Sequence, residues 1–263
     1  VYLLSSMIIL SVATHNERMM DIFQKSCENN NCSLKVLGFG DKWQGFGWRW
    51  TIIYKWLETH KIPDDEIVLV TDAFDSCVVA KSNIIVEKFK EFNSPMVFSC
   101  EPSSVYFWWI SAYYRWRVFG PDPIINGGSY IGYCGAIKKF ISKLKYEPST
   151  DDQRFLTTLY KIVHMTVDFD YKIFFHHCAW MKHKGFIPDT CVVTFPASGY
   201  TSKILSKLGY DYELHSETCG ECIEVAVRRV KHYFPFFWRE VVVLLVSMLG
   251  LGVIPLILGL IAY

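Results

Sequence analysis

Ile67-Val68-Leu69-Val70-Thr71-Asp72-Ala73-Phe74-Asp75 is the stretch on which the reading of this chain turns. Ile67 to Thr71 is a short apolar run bounded by Asp64-Asp65-Glu66 and by Asp72, the pattern of a strand buried on both faces. Two carboxylates three positions apart then stand at its carboxyl end, where open α/β sheets bind their ligands. Paired carboxylate oxygens suit a hard divalent cation such as Mg²⁺ or Mn²⁺, which bridges protein to substrate phosphates and neutralises a diphosphate leaving group. The same aspartates serve equally well as caps of a turn or helix, and the spacing alone leaves both readings open.

Working outward, the chain alternates strands with amphipathic helices, which predicts an α/β domain with a mostly parallel sheet covered on both faces. Strands are expected over Met7–Thr14, Leu34–Leu37, Val97–Ser99 and Cys191–Thr194. Helical spacing runs through Met19, Met20, Ile22 and Phe23, and again through Ile52, Ile53, Trp56 and Leu57. A third helix carries Ile85, Val86, Phe89 and Phe92 behind a Ser82 or Asn83 cap. Two more follow Ile125–Tyr133, one through Ile137, Phe140, Ile141 and Leu144 and one from about Asp151 to Val163.

The 263 residues are 51% hydrophobic and 20% charged, which excludes a disordered chain, and the net charge of +1 gives no electrostatic case for nucleic acid. Val241 to Tyr263 holds no charged residue. At about 1.5 Å per residue it spans roughly 34 Å, enough for a hydrocarbon core of about 30 Å. A C-terminal transmembrane helix is therefore expected over 241–263, behind a linker and membrane-proximal segment at 216–240. Arg228, Arg229, Lys231 and Arg239 precede it. Read literally, they keep the domain on the cytoplasmic side. The chain starts at Val1, so a missing N-terminal piece is expected, and a signal peptide there would place the domain in the lumen. Nine cysteines leave at least one unpaired within the chain, and Cys219-x-x-Cys222 is a single pair, weak as a zinc signal. Asn31-Cys32-Ser33 fits the glycosylation acceptor pattern.

Other candidate chemistry is sparser. Asn126-Gly127-Gly128-Ser129 carries paired glycines that admit a ligand close to the backbone or simply make a tight turn or bulge. Asp151-Asp152-Gln153 opens a helix, where the dipole alone favours acids, and in a sugar-binding cleft the same carboxylates bind hydroxyls or act as base. His176-His177 is a poor joint metal pair because adjacent side chains diverge. No GxSxG, GxGxxG or Walker sequence occurs.

Taken in order, Ser11-Val12-Ala13-Thr14, Leu37 to Trp43, Thr71 to Asp75, Ser99-Cys100-Glu101, Asn126 to Gly132, Asp151-Asp152-Gln153, Lys172-Ile173-Phe174 and Thr201-Ser202-Lys203 resemble the glycosyltransferase domain of the procollagen lysyl hydroxylases and related collagen-type sugar transferases. The resemblance covers about Ile8 to Tyr212. It implies a GT-A, Rossmann-like nucleotide-sugar-binding fold in residues 1–215. It further implies that Asp72 and Asp75 hold Mn²⁺ against the diphosphate of a UDP-sugar, that Trp43 stacks on uracil, and that Phe74 lies beside the nucleotide. Asn126, Gly127 and Gly128 match the substrate-binding segment, Asp151 and Asp152 the acidic run of the sugar and acceptor pocket, Trp108 (or Trp109) an acceptor-side aromatic, and Lys203 a phosphate-binding lysine.

Two departures stand out. The family's third metal ligand is a histidine, but Phe195-Pro196-Ala197-Ser198-Gly199 offers no ligating side chain at its place. Gly45-Phe46-Gly47-Trp48-Arg49 replaces a Gly-Gly-Gln-Lys pattern, with Arg49 as the substitute cation and His176 or His177 as candidate substitute ligands. The expectation is a membrane-anchored, Mn²⁺-dependent transferase of the endoplasmic reticulum or Golgi lumen. It would move galactose or glucose from a UDP-sugar to a hydroxyl of a protein (hydroxylysine-like) or glycan acceptor. The lost histidine motivates the alternative of a non-catalytic member that binds a nucleotide or a partner.

Overall fold

The computed structural model describes residues 7–101, 124–177, 189–195 and 201–211, the side chains of 201–203 excepted. Trp108, Trp109, residues 196–200, the Cys219/Cys222 pair, the 216–240 linker and the expected span at 241–263 all lie outside the described residues. Among the described residues no helix is long and apolar enough to cross a membrane.

The main sheet is built from β1 (Met7–Val12), β2 (Ser33–Leu37), β3 (Ile67–Val70), β5 (Met96–Cys100), β6 (Ile125–Tyr133) and β7 (Thr166–Val167). Its six strands run in the order β2-β1-β3-β6-β5-β7. The small second sheet, β4-β9-β8, uses β4 (Ser76–Val78), β8 (Phe174–His176) and β9 (Val192–Thr194).

Five of the six strands point the same way, as a mostly parallel sheet requires, and the sheet is made mixed by one reversed strand, β6, which the sequence did not signal. β1 pairs parallel with β2 and β3, and β5 with β7, but β6 runs antiparallel to both β3 and β5. A strand covered on both faces reads as a continuous apolar run whichever way it points, so the burial of β6 carries no directional signal. The reversal matters because it brings the first residues of β6 to the carboxyl ends of β3 and β5. Val70 pairs with Tyr130, so the chain beyond Val70 runs alongside Ser129 and Gly128.

Helices do cover both faces, and strand alternation sorts the core between them. Ile9, Leu69, Val97 and Ile131 pack with Phe23 of α1 (Met20–Asn29) and with Ile85 and Phe89 of α3 (Ser82–Glu91). Leu10, Val68, Val70, Phe98 and Tyr130 face the other way. They meet Ile53 and Leu57 of α2 (Phe46–Thr59), Ile137 and Ile141 of α4 (Cys134–Lys143) and Leu156 of α5 (Asp152–Tyr160). A third cluster beneath the small sheet joins Cys77, Phe175 and Val193 to Ile204 and Leu205 of α6 (Thr201–Lys207). The α3 cap differs from expectation: extended Lys81 precedes the helix and makes no side-chain cap bond, so neither Ser82 nor Asn83 is its cap.

Candidate active site

The carboxyl ends of β1, β2, β3 and β5 share one edge of the sheet, and the loops leaving β2 and β3 carry Trp43, Asp72, Phe74 and Asp75. Buried hydroxyls fix their floor. Ser11 Oγ donates to the Thr71 carbonyl at 2.6 Å, Thr71 Oγ1 lies 2.9 Å from Ser76 Oγ and 3.0 Å from Ser129 Oγ, and Ser99 Oγ donates to the Ser129 carbonyl at 2.7 Å. This ladder ties β1, β3, β4, β6 and β5 together immediately below Asp72. The sequence reading missed it, since isolated serines in strands give no signal of mutual contact.

Above that floor the structure joins three predicted residues. Arg49 donates one guanidinium nitrogen to Asp72 Oδ1 and the other to Asp152 Oδ2, and the arginine is only 6% exposed. Burial alone would make the guanidinium easier to deprotonate, but the Asp72 and Asp152 carboxylates more than offset this and raise it above its usual value. Gly127 and Gly128 make room for these carboxylates. A Cβ on Gly128 would collide with Asp72 Oδ2, and one on Gly127 would stand 2.7 Å from both Asp152 carboxylate oxygens. The glycines are thus a close-approach site, and what approaches is the protein's own pair of acids. Asn126 props the same stretch of β6, accepting from Gly128 N–H at 2.7 Å through Oδ1 and donating through Nδ2 to Glu101 Oε1 at 2.7 Å.

The acidic pair Asp151-Asp152 divides its work. Asp151 caps α5, its Oδ1 accepting from Arg154 N at 3.1 Å, while Asp152 is buried and meets Arg49. Consecutive side chains at a helix start diverge, so the two acids take different partners. Trp43 is 42% exposed, edge-on to Phe46 and Trp48 at 5.6 Å ring separation. The Phe74 ring sits 5.4 Å from the His15 ring at the end of β1. Lys203 belongs to α6, its side chain lying outside the described residues.

Asp75 is an incompletely satisfied acid. Its residue is partly exposed, yet its Oδ1 is fully covered and has no hydrogen-bond partner. Burial, then repulsion from Asp72, push its carboxyl up to about 7. An orphaned carboxylate oxygen three residues from a second acid, Asp72, fits a hard cation by its donor chemistry. No group of three His, Cys, Asp or Glu side chains is placed to share a metal among the described residues, so the fit is that of a two-carboxylate site.

Neither histidine hydrogen-bonds to the Arg49 cluster or to Asp75. His176 and His177 are each 1% exposed; His176 Nδ1 bonds Thr194 Oγ1, its Nε2 is unpartnered, and both His177 nitrogens are unpartnered. Burial holds both imidazoles below their usual values, for His176 against the pull of Glu101, Asp72 and Asp168. Asp168, also unforeseen, is wholly buried, and its carboxylate accepts from the backbone N–H of Lys172, Ile173 and Phe174 at 2.9, 2.7 and 2.9 Å, so it sets where β8 begins.

This arrangement can be set against known proteins. A family model described as PLOD GT domain matches residues 4–178. The multifunctional procollagen lysine hydroxylase and glycosyltransferase of Caenorhabditis elegans is 29% identical over 191 residues, covering 65% of this chain and 26% of that protein. Human procollagen-lysine,2-oxoglutarate 5-dioxygenase 1 is 24% identical over 253 residues, covering 89% of this chain and 32% of that protein. The chain therefore spans about a quarter to a third of the curated relatives it matches. Among solved structures, a glycosyltransferase involved in glycosylation of the major capsid of PBCV-1 aligns with 17% identity and a TM-score of 0.46, over 78% of this chain and 98% of that one. With the family model covering residues 4–178, about two thirds of the 263 residues, the chain belongs to the PLOD GT domain family.

Proposed function

We propose that this chain is a glycosyltransferase that moves a hexose, galactose or glucose, from a UDP-sugar to a hydroxyl of a protein or glycan acceptor. The observation that carries this reading is the Asp72/Asp75 pair at the carboxyl end of β3, with Asp75 Oδ1 covered and unpartnered. In this reading a Mn²⁺ held by Asp72 and Asp75 supplies the positive charge that stabilises the departing diphosphate. Trp43 stacks on the uracil, Phe74 lines the nucleotide side, and Lys203 meets the phosphates. Asn126, Gly127 and Gly128 shape the floor of the donor pocket. Asp152, positioned by its contact with Arg49, orients the acceptor hydroxyl by accepting its hydrogen bond, and Trp108 lines the acceptor side. Residues 241–263 anchor the domain to a membrane of the endoplasmic reticulum or Golgi, with the domain in the lumen.

The test is sugar release by the full chain from a panel of UDP-sugars, with and without Mn²⁺, beside Asp72→Ala/Asp75→Ala. Turnover that needs both metal and carboxylates is the expected outcome, and the preferred donor names the sugar. The changed segment at 195–199 and the lack of a third metal ligand among the described residues favour a second reading, a nucleotide- or partner-binding accessory chain. UDP binding without turnover on any donor, in a folded protein, would select it.

A further inference from the structure

Arg49 is held between two unequal carboxylates. The Asp152 side chain is 9% exposed and the Asp72 side chain 39%, so the attraction is least screened at the Asp152 end. The backbone fixes that end as well. Gly47 N, in the first turn of α2, donates to the Pro148 carbonyl at 2.9 Å, and a Cβ on Gly47 would collide with the Glu147 carbonyl. The start of α2 and the segment that runs into Asp152 are thus locked to one another whatever the ion pair does. Phe46 packs beside the guanidinium, with Cζ 5.7 Å from the ring centroid. The contact with Asp152 is therefore anchored, and the contact with the more open Asp72 is the one able to exchange.

Asp72 is also one of the two carboxylates assigned above to the divalent cation, and this inference rests on that assignment. We propose that Arg49 is a built-in competitor of the divalent cation for Asp72, which keeps the cation affinity of the empty site low and makes cation and nucleotide bind as a linked pair. A cation arriving alone must displace one branch of the guanidinium and then sit beside its positive charge. A diphosphate changes both terms: it adds negative charge next to the cation and offers acceptor oxygens to the released branch, which matches phosphate geometry. Each ligand therefore raises the affinity for the other by the same factor.

Free Mn²⁺ has a paramagnetic resonance signal that is lost on binding, so titrations of the full chain with Mn²⁺, with and without UDP, test this directly. In the wild type, UDP should tighten Mn²⁺ binding by about tenfold or more, within the usual range of coupling between sites. Because Arg49→Met alone strands a buried charge, Arg49→Met/Asp152→Asn is the variant to compare, with Asp152→Asn as its reference. The double variant should bind Mn²⁺ without UDP about tenfold more tightly than Asp152→Asn and show a correspondingly smaller UDP-dependent gain, keeping the part that comes from the diphosphate's own charge. Equal Mn²⁺ affinities in those two variants, or an undiminished UDP gain in the double variant, overturn the competitor role while leaving the metal site standing. Absence of Mn²⁺ binding to the wild type even with UDP overturns the metal assignment itself, and this inference with it.

Discussion

The protein handles two buried polar clusters, one around Arg49 and one around the paired histidines, in opposite ways. Around Arg49 the charges are kept and paired: one guanidinium serves Asp72 and Asp152 over two glycines that clear the space. Around His176 and His177 the charge is removed: burial keeps both imidazoles neutral, and three of their four ring nitrogens have no partner. Paired charges specify position, because each end of the pair is costly without the other, whereas neutral unpartnered rings behave as bulky core side chains with a residual polar penalty. The difference separates a cluster built for placement from one that mainly fills space.

The largest expected effect breaks the paired cluster. Arg49→Met should cost about 3–5 kcal/mol by leaving Asp152 buried and unpaired, and Arg49→Met/Asp152→Asn should recover most of it. Urea unfolding midpoints of the two variants decide this; equal losses would mean that the pair does not act as a unit. Gly128→Ala comes next, at about 1–3 kcal/mol, because the new methyl must displace Asp72. Its UDP affinity in Mn²⁺ should fall with stability, while Gly132→Ala, whose Cβ meets the Pro95 carbonyl and Met96 instead, should leave UDP affinity intact in the folded fraction.

Asp75 sharpens the comparison through pH. Burial and the neighbouring Asp72 push its carboxyl up to about 7 in the metal-free fold, against an ordinary value of 3.8, so between these values the folded state holds a proton that the unfolded chain has released. Stability from this residue is full below about pH 4 and declines as pH rises towards 7. Asp75→Asn should abolish that decline, raising the metal-free midpoint at pH 8 by up to about 4 kcal/mol equivalent as a ceiling, and by little at pH 4.5. The histidines have the opposite sign: with folded values below 6.5, their contribution is present at neutral pH and above and is lost as pH falls through the unfolded value. His177→Leu should therefore change stability by less than about 1 kcal/mol at pH 8 and lessen the loss between pH 7 and 5. A large loss at pH 8 would show that the imidazole is bonded and that the contrast between the clusters is false.

Much of this was legible in the sequence, for a local reason. The strand before Asp72, the Asn-Gly-Gly segment and the acidic start of α5 each carry their signal within a few residues, and their order identifies the family. What was not legible depends on residues far apart. The pairing of Arg49 with Asp72 and Asp152 spans 23 and 103 positions and is created by the antiparallel insertion of β6 and the docking of α5. Strands of three residues such as β4, β8 and β9 are too short to show a period, and Asp168 was silent because its three backbone partners become partners only once the turn has formed. Asp151 and Asp152 looked alike in sequence, and only the helix geometry tells the cap from the partner of Arg49.

The lock between Gly47 and the carbonyls of Glu147 and Pro148 also bears on how this sequence can drift. Position 47 holds no acid, base or ligand, yet any side chain there would wedge α2 away from the segment leading to Asp152 and so open the cleft from behind. In a library of all single substitutions scored for UDP binding, position 47 should be as intolerant as Asp72, while exposed Phe39 nearby should accept nearly any residue. The site's shape is guarded by a residue that takes no part in its chemistry.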